Sequence, residues 1–267
     1  YAANTLYPIT VNLFEEYSNT KYYLWDAEQD LWYNKTAVDY ANGLYSASDN
    51  PQRAAWSRNS IPADQNRWFN TNPPEVPGFT MTHGYGNKFY YATRSGKDCP
   101  SVFELAWYYD KGDVRWDATG AFLFRGKIYY GGAWIKKQSV IAQENSTTVA
   151  ALKNTYPGTH DGNTNDLIHP DNMPEKAIVQ GAPSSSTIKK YFFLPTLGDY
   201  GGTESGYAIP NNWNTLYGLG THGFYTCSNT YDNSQGLYVW SLRFDNAKVY
   251  LFSTEALTNG LPLWKAQ

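Results

Sequence analysis

The stretch from Gly223 to Phe252, GFYTCSNTYDNSQGLYVWSLRFDNAKVYLF, most constrains what this chain can fold into. From Leu237 onward it is rich in Val, Tyr, Trp and Phe, which favour strands. Asp245-Asn246 is a turn pair that tolerates positive φ. We therefore predict a β-hairpin closed by a two-residue loop, with one apolar face that belongs to the core. That face carries Trp240, Leu242 and Phe244 opposite Leu251, Val249 and Ala247.

A polar run from Thr226 to Gly236 precedes the apolar strands, and Tyr225 and Tyr231 stand among its Asn, Ser and Asp residues. This composition is typical of an exposed, hydrogen-bonding loop. We therefore predict that the run forms a binding surface. The candidate ligand-binding residues are Trp213, Asn214, Tyr225, Asn229, Tyr231, Asp232, Asn233 and Tyr250.

Composition limits the function. A net charge of −3 with 17% charged residues argues against nucleic-acid binding, which needs a basic patch. No segment approaches the roughly 20 consecutive apolar residues of a membrane span. The chain begins at Tyr1 without a signal-like run, so we expect a processed or trimmed product whose targeting signal is missing. The 24 Tyr, 12 Phe and 10 Trp residues suit both a loop-rich β core and a recognition surface.

The clearest helix begins after Ser101. Ser101 and Glu104 form the S-x-x-E capping box, which satisfies free amide groups of a first helical turn. Apolar residues then recur at helical spacing until Gly112 ends the pattern. Glu104 is therefore predicted to be structural rather than catalytic.

Other signals place further elements along the chain. We predict a hairpin that bends near Arg125-Gly126, a strand from Tyr191 to Pro195, and a helix from Thr147 to Asn154 opened by Asn145 or Ser146. The final GLPLWKAQ is predicted to form a closing strand beside an N-terminal strand.

Two long loops are predicted from Asp49 to Phe79 and from Gly158 to Thr187. In the second, residues 161–172 begin with the spacing of a calcium loop, but Asp166 stands at the glycine position and Asn172 at the final glutamate position. A solvated loop is therefore favoured, with a calcium site as the alternative. We predict no cofactor.

The four His and two Cys residues match no metal or catalytic motif. We expect free, buried thiols at Cys99 and Cys227, and a disulfide between them is the alternative. Two carboxylates that face each other across a sugar, as in glycosidases, would also leave no signature in the sequence.

Four segments occur in an order that resembles a known group: CPSVFELAWYYDKGDVRWD at 99–117, YYGGAWIKK at 129–137, YFFLPTLGDY at 191–200, and the stretch at 223–252. Together they resemble the C-type lectin-like surface proteins of gut Bacteroides-type bacteria. This group includes the major paralogous domain of Fibrobacter and the variable proteins of diversity-generating retroelements.

The resemblance implies an α+β, C-type lectin-like fold, with two helices packed on a small, mostly antiparallel sheet and long ordered loops. Residues 89–267 would form this domain, and residues 1–88 would decorate it or remain from a preceding module. The chain departs from the group at Thr226-Cys227-Ser228, where Trp-Ser-Ser is usual, and at Trp264, where Arg is common. Ile209-Pro210-Asn211 lacks the carboxylate of calcium-dependent lectins, so calcium-mediated sugar binding is not implied.

These features lead to one functional hypothesis and two alternatives. We expect a non-catalytic adhesion module, outside the cell or attached to the outer membrane, that binds a glycan or a host or bacterial surface protein. It would stand at the tip of a pilus or fimbria. The alternatives are a glycan-active hydrolase and a structural subunit whose edge strands pair with a neighbour.

Overall fold

A computed structural model of the chain describes residues 15–17, 20–31, 33, 68–77, 88–156, 173–200, 216–233 and 236–267. Among them, 40% lie in strands, which form three sheets, and 17% lie in helices. The predicted α+β, C-type lectin-like fold is therefore wrong, because the described chain is mostly β rather than two helices on one small sheet.

The first sheet is built around an antiparallel hairpin of β4 (Arg115–Phe124) and β5 (Lys127–Lys136). Arg125 and Gly126 both have positive φ, as a two-residue turn of this kind requires, so the predicted bend is confirmed. Strand β8 (Tyr191–Pro195), also predicted, pairs with β5 and forms one border of the sheet. Strands β1 (Glu15–Glu16) and β7 (Val179–Gln180) lie parallel to β4 on its other side.

The second sheet contains the 223–252 stretch in its centre. Its five strands follow the order β3 (Phe89–Tyr91), β9 (Gly223–Asn233), β10 (Gly236–Phe244), β11 (Lys248–Ala256) and β6 (Lys176–Ala177). Trp240, Leu242 and Leu251 are buried, so the predicted apolar face is confirmed.

The register of the β10–β11 hairpin differs from the prediction by two residues. Phe244 pairs with Val249 and Leu242 pairs with Leu251. The Asp245 carboxylate accepts hydrogen bonds from the backbone amides of Ala247 and Lys248, which closes a wider loop than expected. Because side chains alternate with a period of two, this shift leaves the apolar residues on the predicted face.

The predicted exposed loop from Thr226 to Gly236 is wrong, because most of it belongs to strand β9. β9 pairs with β3 on one side and β10 on the other, and Thr226, Cys227 and Thr230 are buried. Its polar groups are satisfied inside the protein. Thr230 donates to the carbonyl of Tyr238, and the backbone amide of Ser228 donates to the carbonyl of Pro100 at 2.8 Å.

Helix α1 (Val102–Lys111) confirms the predicted capping box. The Ser101 hydroxyl accepts from the Glu104 amide at 3.2 Å, and the Glu104 carboxylate accepts from the Ser101 amide at 2.6 Å. The second carboxylate oxygen of Glu104 accepts from the Gln138 side chain, so this residue is structural as predicted. α1 packs against β9, β10 and β11 and against β5 of the first sheet.

Two short helices follow the first sheet's hairpin. Helix α2 (Gln138–Glu144) was not predicted, and α3 (Val149–Leu152) is shorter than the predicted helix. The cap of α3 is Thr148, not Asn145 or Ser146. Short 3₁₀ turns cover Ser95–Asp98 and Ile188–Lys190.

The N-terminal residues that the structure describes share one apolar core with the rest of the chain. Strand β2 (Tyr22–Tyr23) pairs with β12 (Leu261–Pro262), which confirms the predicted closing strand beside an N-terminal strand. Tyr22, Leu24 and Trp68 are buried in the same cluster as Leu242 and Trp264. The boundary at residue 88 stays a prediction.

No helix in the described part of the chain combines the length and the apolar character needed to cross a bilayer. The predicted calcium alternative at 161–172 and most of the first predicted loop lie outside the described residues.

Replacing Ser101 with Ala should lower the free energy of unfolding by about 1 kcal/mol, because the N-cap bond to α1 is lost. Denaturant unfolding measures the effect. Ser139→Ala is the matched control, since Ser139 is an exposed helical serine in α2. Equal stability of the two variants would contradict the role given to the cap.

Candidate functional site

The two tyrosines of the predicted binding surface lie in the core. Tyr225 is 2% exposed and Tyr231 is 1% exposed. The Tyr231 ring packs against Trp240 with 4.3 Å between ring centroids. The prediction that Tyr231 meets an outside ligand is therefore wrong, because neighbouring strands and the Trp240 ring enclose it.

The other predicted residues are scattered. Asn229 is 8% exposed, and its side-chain oxygen accepts the Val102 amide at the start of α1, so it holds the helix rather than a ligand. The backbones of Asp232 and Asn233 pair with β10, and Tyr250 is half-buried in β11 beside Lys248. Trp213 and Asn214 lie outside the described residues.

A cleft of about 360 Å³ opens at the border of the first sheet. Four separate parts of the chain line it: the residues after β1, strand β8 with its continuation, Tyr225 of β9, and the segment after β12. The lining residues are Tyr17, Thr20, Phe192, Phe193, Leu194, Pro195, Leu197, Tyr225, Leu263, Trp264, Lys265 and Gln267. None of these is Asp or Glu.

Hydrogen bonds from two aromatic side chains fix the floor of the cleft. The Tyr225 hydroxyl donates to the carbonyl of Pro195 at 2.5 Å, which ties β9 to β8. The Trp264 indole donates to the carbonyl of Thr226 at 2.7 Å, which ties the last segment to β9. The Trp264 ring also contacts Tyr225 and Tyr108, with centroids 5.5 and 5.6 Å apart. The cleft is therefore held by tertiary contacts and is largely pre-formed.

Strand β8 forms one wall of the cleft. Phe192 packs towards Tyr108, with a centroid separation of 5.5 Å, whereas the Phe193 ring lies over Gly132. A Cβ atom at Gly132 would stand 2.3 Å from that ring, so this glycine is required for the close approach. In the described part of the chain β8 pairs only with β5.

Sequence reasoning missed most of this site. Tyr17, Phe192 and Trp264 were assigned to strands or to no role, because nothing local shows that they converge. The one available signal of a binding site was an aromatic residue directly followed by a polar residue at the end of a strand, as in Trp264-Lys265.

A second, enclosed polar cluster lies between β10 and β11. Arg243 and Glu255 form an ion pair at 2.6 Å, with side chains 4% and 0% exposed. Ser241 and Asn259 donate to the Glu255 carboxylate, and the Arg243 guanidinium lies 3.8 Å from the centroid of the Phe252 ring. Removal of either charge would leave the other buried and unpaired, so this pair is structural.

Asp199 faces this pair. It is 5% exposed, and its Oδ1 atom has no hydrogen-bond partner among the described residues. Burial, together with the nearby negative charge of Glu255, raises the pKa of Asp199 to about 8, although Arg243 opposes the shift. This pKa favours the protonated form of Asp199 at neutral pH.

The two cysteines are free and buried, as expected. Burial raises the pKa of each thiol to about 12, which makes both poor nucleophiles. His222 stacks on Phe224, and burial lowers the pKa of its ring. No group of three metal-ligating side chains occurs within the described ranges.

Comparison of the chain with family models, with curated proteins and with solved structures found no match.

Replacing Asp199 with Asn should change how stability depends on pH. The folded pKa lies above the unfolded value, so the native state binds the extra proton and wild-type stability falls as pH rises from about 4 to about 8. The variant should match the wild type near pH 4 and exceed it at about pH 9 by more than roughly 1.4 kcal/mol, the equivalent of one pKa unit.

Denaturant unfolding across this pH range measures the difference, with the exposed carboxylate variant Glu28→Gln as the control. Parallel profiles for the wild type and Asp199→Asn would show that Asp199 does not titrate in this range.

Proposed function

We propose that the protein is a non-catalytic recognition module that binds a glycan in the cleft between β8 and residues 263–267. The single observation that carries the proposal is the lining of this cleft. Aromatic rings of Tyr17, Phe192 and Trp264 stand beside the polar groups of Thr20 and Gln267. Rigid amphipathic rings with a few placed hydrogen-bonding groups suit a sugar, which has apolar faces and polar edges.

The size of the cleft favours a saccharide over a protein partner. Its volume falls within the range of about 300–1,000 Å³ that is usual for small-ligand sites. A protein partner would instead need about 800 Å² of surface on each side. The fixed floor, formed by Tyr225 and Trp264, supports binding because little ordering of side chains is needed when a ligand enters.

Binding without catalysis is proposed because the described lining offers stacking and hydrogen bonding but no acid–base pair. Among the described residues, the one carboxylic acid with a strongly raised pKa is Asp199, and it does not line the cleft. The placement at a cell surface, in an adhesive appendage, is part of the proposal and is supported only by the sequence resemblance.

Immobilised glycans offered to the intact protein test the proposal. Phe192→Ala removes a cleft wall and Thr20→Trp fills the cleft, so each should weaken glycan binding by at least about tenfold, or roughly 1.4 kcal/mol. The matched control is Tyr91→Ala, which removes a 44% exposed aromatic ring from β3 of the other sheet. Thermal melts confirm that each variant is folded.

Two results would overturn the proposal. One is the absence of wild-type binding to any glycan, including the case in which only surface proteins are bound. The other is glycan binding that neither cleft variant alters.

A further inference from the structure

Three lysine-bearing segments meet at one end of the cleft. Lys265 and Gln267 are lining residues themselves, and Lys190 lies two positions before Phe192. The backbone amide of Lys137 donates to the carbonyl of Lys190 at 2.9 Å, and the next amide, of Gln138, donates to the carbonyl of Gln267 at 2.5 Å. Lys137, Lys190 and Lys265 therefore belong to three chain segments that meet at this end.

These lysines lack strong counter-charges within the described part of the chain. No carboxylate there lies within ion-pair distance of Lys137 or Lys190. Lys265 has only Asp98, at 3.9 Å, and the two side chains are 75% and 59% exposed. Such an exposed, distant pair contributes little.

The acidic side chains near this end already have partners. Glu104 is 3% exposed and accepts hydrogen bonds from Ser101 and Gln138. Glu144 pairs with Lys136 at 2.7 Å. The exposed Glu16 belongs to β1 and precedes Tyr17, which lines the cleft. Lys265 therefore places a positive charge in the cleft lining, and Lys137 and Lys190 lie on the segments that adjoin it.

We propose that the cleft selects anionic glycans, and that Lys137, Lys190 and Lys265 receive a carboxylate or sulfate group while the aromatic wall contacts the sugar ring. This inference rests on the proposed function and names its ligand class. The attraction between exposed ammonium groups and the anion is screened by added salt. A lysine acts here as a point charge, which suits either anion.

Two matched pairs of oligosaccharides test the inference and separate its two anions. Oligogalacturonate is compared with its methyl ester, and a sulfated galactan oligosaccharide with its desulfated form. The charged member of at least one pair should bind about tenfold more tightly, and the difference should shrink as NaCl rises from about 50 to 500 mM. A preference for oligogalacturonate over its methyl ester identifies a carboxylate as the bound anion. A preference for the sulfated over the desulfated galactan identifies a sulfate.

Substitution of the lysines tests whether they cause the preference for the charged oligosaccharide. The double variant Lys190→Ala/Lys265→Ala should bind the charged oligosaccharide no better than its neutral partner. Lys153→Ala, which removes an exposed lysine after α3, should keep the preference.

Equal binding of charged and neutral oligosaccharides would overturn the inference and leave the proposed function standing. Equal loss of the preference in Lys153→Ala and in the double variant would also overturn it, since the effect would then reflect overall charge. Failure to bind any saccharide would overturn both.

Discussion

The burial of a polar strand is the constraint on which the rest of the structure depends. β9 lies between β3 and β10 and pairs with both, and the side chains of Thr226, Cys227, Asn229 and Thr230 are buried. A buried polar group without a partner costs about 1–3 kcal/mol, so each must be satisfied by a specific neighbour. Asn229 meets the first amide of α1, and Thr230 meets the carbonyl of Tyr238. These bonds fix where the helix and the adjacent strands lie.

The same strand positions the cleft. Its Thr226 carbonyl receives the Trp264 indole, and its Tyr225 hydroxyl reaches the Pro195 carbonyl. β9 thus joins the second sheet to the border strand of the first and to the last segment of the chain. The rings of Trp264 and Phe192 meet at this junction, with 6.4 Å between their centroids, and form the aromatic wall of the cleft.

Local signals predicted local structure well. Ser101 with Glu104, and Arg125 with Gly126, define a helix start and a turn through contacts only a few residues apart. The composition of β9 led to the wrong prediction of a loop. Thr, Asn and Ser are typical of loops unless distant partners satisfy the hydrogen bonds of their side chains. Those partners, Pro100, Val102 and Tyr238, are visible only in three dimensions. The cleft was missed for the same reason, because its lining spans residues 17–267.

Buried and exposed ionisable groups of this protein differ in how their charge is compensated. Arg243 lies inside the protein, held by Glu255 and by the rings of Phe224 and Phe252, so its charge is already compensated. Asp199 beside it avoids a second buried negative charge by keeping its proton. Lys190 and Lys265 instead stay hydrated at the surface, where an uncompensated charge costs little. Of these groups, only the surface lysines can gain a counter-charge from outside without disruption of the core, and Lys265 lines the aromatic cleft.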